Sequence, residues 1–223
     1  MIHIFLKTLE DLFKKEANAS IASGQKAYMR NQFEFYGVKT PIRRGIQRKL
    51  FKKDALPPKH ELHKLVTSLW DLPQRENQYV AQELARKYIR NIEEDDILLY
   101  EYMITHKSWW DTVDFIAAVL VGSYFKMFPH KRNDITKRWM SSDNIWLQRS
   151  TLLFQLKYKE TLDTEFLGRT INSLLGSEEF FINKAIGWVL REYSKTDKDW
   201  VLQFAAKTSL HSLSRREALR LIK

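Results

Sequence analysis

The chain has 223 residues, 44% of them hydrophobic and none of them cysteine, so it can bury a sizeable core but cannot form disulfides or thiolate metal sites. It carries 37 Lys and Arg against 27 Asp and Glu, a net charge of +10, with 13% aromatic residues, which points to a polyanionic partner, nucleic acid ahead of a membrane surface. No apolar stretch reaches the roughly 18 residues of a bilayer span, and MIHIFLKTLEDLFKK turns charged too early for a signal peptide, so a soluble cytoplasmic protein is expected.

Only 7 glycines and 5 prolines are spread over the length, and the abundance of Leu, Lys, Glu, Ala, Arg and Gln favours helix throughout, with no alternating strand. In chain order, helical periodicity runs through IHIFLKTLEDLFKKEA, then PIRRGIQRKLF with Pro41 in a first turn, then HELHKLVTSLW after Pro57 and Pro58. ENQYVAQELARKYIR and DDILLYEYMITH follow, then the stretch after Trp110, NDITKRWMS, IWLQRSTLLFQLKY and DTEFLGRTINSLL. The last three are EEFFINKAIGWVLREYS, DWVLQFAAKTS and SRREALRLIK. The acidic run EEDD at 93–96 reads as a first helical turn favoured by the helix dipole. In KHELHK, His60 and His63 are three apart rather than the four of the H-E-x-x-H pattern, so surface histidines are the better reading and no metal site is expected.

Equivalent points recur along this series: Asp114 to Arg149 is 35 residues and Arg149 to Trp188 is 39. Such intervals fit helical-hairpin repeats of about 40 residues that stack into a curved solenoid, with one helix of each pair on the concave side as a cradle for a rod-like ligand. No linker rich in Gly, Ser or Pro divides the chain, so a single all-α domain over residues 1–223 is expected.

One helix carries an anomaly. From Val113 to Val121 the chain reads VDFIAAVLV, and Asp114 is its only polar side chain. On a helix, Trp109, Val113, Ile116 and Leu120 share a core stripe, while Trp110, Asp114 and Val121 share the next one. An acid there is either half of a structural ion pair or part of a functional site, and the pattern leaves both open. In the next repeat, WLQRSTLL offers Arg149 as a partner, with Trp146 one turn before it. Further on, FFINKAIGWVLR sets Phe181, Lys184, Trp188 and Arg191 along one stripe, an aromatic and basic pattern unusual for core. KTPIRRGIQRKLFKK is read equally well as a solvated helix face or as a phosphate contact. Local basic density and stripe position nominate Arg43, Arg44, Arg149, Lys184, Arg191, Arg215 and Arg216 as phosphate contacts.

Taken together, SWWDTVD, WLQRS, INKAIGWVLRE and SRREAL, with AYMRNQFEFYGVKTPIRR near the start, resemble the DNA alkylation repair family of AlkD-type glycosylases, over almost the whole chain from about residue 25. The resemblance implies a superhelical stack of antiparallel helix pairs, HEAT-like repeats, gripping double-stranded DNA in a basic concave face. It implies hydrolysis of the N-glycosidic bond of alkylated purines, by a monomer with neither cofactor nor metal, in the bacterial cytosol. By motif, its catalytic tryptophans fall on Trp110 and Trp188, its carboxylate on Asp114 and its arginine on Arg149. Tyr28 matches a further aromatic near the lesion, and nothing is carried over to Lys39. The family acts without flipping the lesion, so cationic 3-methyladenine-like and 7-methylguanine-like bases are the expected substrates. Arg149 is expected both to hold Asp114 and to reach a backbone phosphate. A noncatalytic helical-repeat module that binds damaged or branched DNA is the alternative, and a protein-binding scaffold is disfavoured by the charge.

Overall fold

A computed structural model describes residues 2–51 and 56–222. Lys52 and Lys53, at the end of the basic run KTPIRRGIQRKLFKK, lie outside the described residues, as does Lys223 of SRREALRLIK. The described residues form helices and no strand, an all-α helical-repeat fold in which α4 pairs with α5, α9 with α10 and α12 with α14. By internal packing the chain divides into two compact units, Met1–Asn91 and Ile92–Lys223.

The first unit holds α1 (Ile2–Lys15), α2 (Ala19–Tyr28), α3 (Thr40–Leu50), α4 (Leu62–Asp71) and α5 (Arg75–Lys87). Helix α2 has no counterpart among the helices expected from periodicity. It is built mostly of small and polar residues, buries none of its residues, and starts where the Asn18 side chain accepts from the Ile21 N–H. A capping residue rather than an apolar stripe therefore defines it. His60 lies in a 3-10 turn and His63 in the first turn of α4, both away from the core.

Helix α5 buries an unusual load of polar side chains: Arg75, Glu76, Asn77, Gln78 and Gln82. Several of them tie down backbone that has no ladder of its own. The Glu76 carboxylate accepts the N–H groups of Tyr36, Gly37 and Val38 at 3.0–3.1 Å, and burial pushes this carboxyl up from its ordinary value despite those bonds. Gly37 sits at φ +83°, where a Cβ would collide with the Asn18 carbonyl, so the segment leading into α3 needs glycine there. The Arg75 guanidinium lies 3.8 Å over the Phe33 ring, and Gln78 caps the end of α4 by donating to the carbonyls of Trp70 and Leu72.

The second unit contains α6 (Asp96–Thr105), α7 (Trp110–Phe115), α8 (Gly122–Met127), α9 (Arg132–Met140), α10 (Ile145–Leu153), α11 (Thr164–Ser173), α12 (Phe180–Tyr193), α13 (Lys198–Lys207) and α14 (Ser212–Ala218). A π-helical segment, Ile116–Val121, joins α7 directly to α8. This is the apolar run VDFIAAVLV, and it departs from the regular helix read from the sequence. Val113, Ile116 and Leu120 are fully buried, as expected of a core stripe, but so is Val121, which regular spacing puts beside Asp114. The π turn inserts an extra residue and rotates all that follows by about 100° relative to Asp114. Val121 thus joins the core, while Asp114, just before the insertion, keeps the phase of Trp110.

Helix α14 packs along α12 at very close range. A Cβ on Gly187 would meet the Glu217 Cβ at 2.5 Å and the Ser214 carbonyl oxygen at 2.9 Å. The Ser214 hydroxyl donates to the Asn183 carbonyl at 2.8 Å, crossing the same contact. Because backbone and not just a flexible side chain blocks the added methyl, Gly187→Ala is expected to lower stability by about 1–3 kcal/mol. Thermal denaturation checks this, and an unchanged melting temperature would contradict the close-approach account.

Candidate active site

Trp109 does not lie on the helix it was assigned to. It stands extended (φ −159°, ψ 159°) as the residue that caps α7, and its carbonyl accepts the N–H groups of Thr112 and Val113. Trp110 and Asp111 therefore occupy the first turn, where a carboxylate at Asp111 suits the positive end of the helix, and Asp114 lies one turn on. The Trp109 ring packs on Trp146 (centroids 5.8 Å) and edge-on to Phe181 (5.1 Å), and Trp146 meets Phe181 at 4.9 Å. Each of the three rings comes from a different segment, preceding α7, on α10 and on α12. The cluster locks these segments together beside Asp114.

The pairing between repeats is as read from the sequence. The Arg149 Nε donates to one oxygen of Asp114 at 2.7 Å and its Nη2 to the other at 2.9 Å. Nη1 donates to the Phe181 carbonyl, so every guanidinium nitrogen has a partner. The Arg149 side chain is 3% exposed and that of Asp114 15%. Burial is the largest influence on the Asp114 carboxyl and pushes it up. The two bonds from Arg149 and its positive charge oppose that rise, and the nearby Asp111 adds to it. Arg149 bears on one expectation: buried, with one donor from each nitrogen committed, it supports Asp114 from the cavity wall and does not stand out as a surface phosphate contact. The fork geometry holds both carboxylate oxygens while leaving each a free lone pair.

Trp110, Asp114, Arg149 and Trp188 line one cavity of about 310 Å³ with Phe180, Phe181, Lys184 and Arg191. All four catalytic assignments meet there, and so does the whole stripe Phe181, Lys184, Trp188 and Arg191 of α12. Trp188 is half-buried, its inner side packed on the core of the second unit. Phe180, 53% exposed in the first turn of α12, is an addition that no stripe argument singled out. Among the described residues, no group of three or more His, Cys, Asp or Glu is arranged to hold a metal ion, and no single helix is long and apolar enough to cross a membrane.

Sequence reasoning also missed Glu217, which is 7% exposed on α14. Its carboxylate pairs with Lys184 at 2.9 Å through one oxygen and with Arg191 through the other. Lys184 is the leading cause that holds the Glu217 carboxyl below its ordinary value, with Arg191 and Arg220 contributing. In SRREAL this acid was hidden among cations, and only its approach to α12 in space marks it.

The remaining expected phosphate contacts divide. Arg43 is 5% exposed and corrects the reading of its segment. It shares the buried face of α3 with Ile46 and Gln47, bonds Glu83 at 2.9 Å and Gln47 at 3.0 Å, and stacks on Tyr79. Spacing i, i+3, i+4 turned it inward. Arg44, one position on, is exposed and lines a groove of about 640 Å³ in the first unit with Arg48, Arg86 and Lys87. Tyr28 is 70% exposed at the end of α2. Arg215 and Arg216 are exposed on α14, Arg215 donating to the Ala205 carbonyl.

Residues 9–222 match the DNA alkylation repair enzyme family. Among solved structures, a predicted DNA alkylation repair enzyme from Enterococcus faecalis is similar at 32% identity, with a TM-score of 0.85 over 93% of this chain and 97% of that one. No curated protein matches.

Proposed function

The chain belongs to the DNA alkylation repair enzyme family, and on that premise we propose that it is a monofunctional DNA glycosylase. It hydrolyses the N-glycosidic bond of positively charged N3- and N7-alkylated purines in duplex DNA, leaving an abasic site without extruding the base into a protein pocket. The convergence of Trp110, Asp114, Arg149 and Trp188 on one cavity carries this reading. The protein acts as a cytosolic monomer with neither metal nor cofactor.

The residue types fit the chemistry. A purine alkylated at N3 or N7 is cationic and departs neutral when its bond to C1′ breaks, so no acid has to protonate it. The developing charge lies on the deoxyribose, and the single acid of the cavity, Asp114, stabilises that oxocarbenium character. A water adds to C1′ and loses its proton towards the same carboxylate, whose upward shift makes it a better acceptor. The indole faces of Trp110 and Trp188 attract the increasingly positive sugar hydrogens. Contact through the sugar, rather than an enclosing pocket that reads the base edge, gives little help to a neutral leaving group.

Duplex DNA carrying 7-methylguanine or 3-methyladenine is therefore expected to lose the base faster than by spontaneous depurination, while uracil and hypoxanthine are retained. Absence of release above the spontaneous rate refutes the reading. The pH profile of single-turnover release follows from Asp114. Protonation removes the stabilising charge, and burial raises the carboxyl, so activity falls on the acid side with a midpoint above the ordinary aspartate value of about 3.9. An acid limb at or below that value contradicts the assignment.

One observation favours a second reading, a noncatalytic module that binds damaged or branched DNA: both Asp114 oxygens are already engaged by Arg149, as in a structural ion pair. That reading predicts salt-sensitive binding with no base release, and the same assay separates the two.

A further inference from the structure

Lys184 is the primary amine on the cavity wall, in the space that also holds Asp114, Trp110 and Trp188. An abasic site in that space presents its C1′ as an aldehyde in the ring-open form. A free amine there adds to C1′, loses water and forms an iminium. Removal of a proton from C2′ then expels the 3′ phosphate and cuts the strand. Hydrolysis alone requires that this nitrogen be kept from C1′.

Lys184 has a close counter-charge. Glu217 approaches from α14, 9% exposed in its side chain, with one oxygen 2.9 Å from the Lys184 nitrogen and the other on Arg191. Gly187 lies between Lys184 and Arg191 in sequence and lets α14 come this near: a Cβ there would meet the Glu217 Cβ at 2.5 Å. The other charged groups around the amine are Arg191 on its own helix, Asp114 and Arg149 across the cavity, and Arg220 just beyond α14. Asp114 is committed to Arg149, so Glu217 is the carboxylate that balances Lys184 and Arg191.

We propose that Glu217 is a positioning residue that holds the Lys184 nitrogen in an ion pair toward α14 and thereby confines the cavity to hydrolysis, excluding Schiff-base chemistry on the abasic product. The inference deepens the glycosylase reading and rests on it for the product that occupies the cavity. Without the carboxylate, the Lys184 nitrogen loses the partner that holds it toward α14 at 2.9 Å and is released toward C1′ of the product.

The test uses the full-length protein with duplex DNA that already contains an abasic site, in the presence of cyanoborohydride, a hydride donor that reduces the iminium to a stable amine. Wild type is expected to give no covalent adduct above a DNA-free control. Glu217→Gln and Glu217→Ala are expected to give at least about tenfold more adduct than wild type, mapped to residue 184. Glu217→Asp, which keeps the charge, and Glu217→Gln combined with Lys184→Ala are expected to return to the baseline. Helix content and melting temperature are measured for each variant, and the alanine variant, which removes the carboxamide as well as the charge, provides a folded counterpart should the glutamine variant misfold. A wild-type adduct at Lys184 overturns the proposal. So does a folded carboxylate-free variant with no adduct, or an adduct that survives Lys184→Ala. Because the abasic site is preformed, these outcomes are read independently of base release, whose absence in wild type would instead count against the glycosylase reading.

Discussion

Asp114→Asn is expected to slow single-turnover release of 7-methylguanine by about 10²–10³-fold, the scale on which removing one preorganised electrostatic partner of a transition state acts. Asparagine fills nearly the same volume and still accepts from Arg149 through its one carbonyl oxygen, so the loss comes from charge and not from shape. The same change leaves Arg149, 3% exposed, without a counter-ion. Breaking a buried pair costs about 3–5 kcal/mol, and the partial exposure of Asp114 puts this case at the lower end. Release and melting temperature must therefore be measured together. Full release alongside a lowered melting temperature would show that Asp114 is half of a structural ion pair and nothing more.

Arg149→Met gives the converse result. The methionine fills the space of the aliphatic stem, but both oxygens of Asp114 and the Phe181 carbonyl lose their donor. Stability is expected to fall by about 3–5 kcal/mol, because a mostly buried carboxylate is left uncompensated. Burial then acts on Asp114 with the opposing influence of Arg149 removed, so its carboxyl moves further up, and the acid limb of base release shifts to higher pH, with activity recovering as the pH is raised. A pH–rate profile of the variant checks the sign. Activity lost equally at every pH would mean that Arg149 acts on something other than the ionisation of Asp114.

These two variants probe the pair that is most legible in the amino-acid sequence. An acid alone in an apolar run must have a partner, and a cation on an apolar helix one repeat later is subject to the same requirement. Burial without compensation is costly enough that each predicts the other. The stripe Phe181, Lys184, Trp188 and Arg191 is legible for a local reason, since side chains three and four apart on one helix must share a face. Arg43 shows where basic density misleads. It lies next to Arg44 in the same run and both approach Glu83, yet the Arg43 side chain is buried and the Arg44 side chain exposed, a difference of helical phase that a count of charges cannot register.

Composition and spacing by themselves determined that the chain is helical and which side chains share a face within a regular helix, because both follow from short-range geometry. The Asp114 to Arg149 pairing lay at the edge of that reach, inferred from the cost of burying charge. Tertiary structure alone decided that Trp109 caps α7 instead of lying on it, that a π turn after Asp114 sends Val121 to the core, that Arg149 turns away from solvent, and that Glu217 reaches Lys184 and Arg191 across the gap left by Gly187. Each of these depends on how closely segments far apart in sequence approach one another, and that distance is set by the packing of the whole unit.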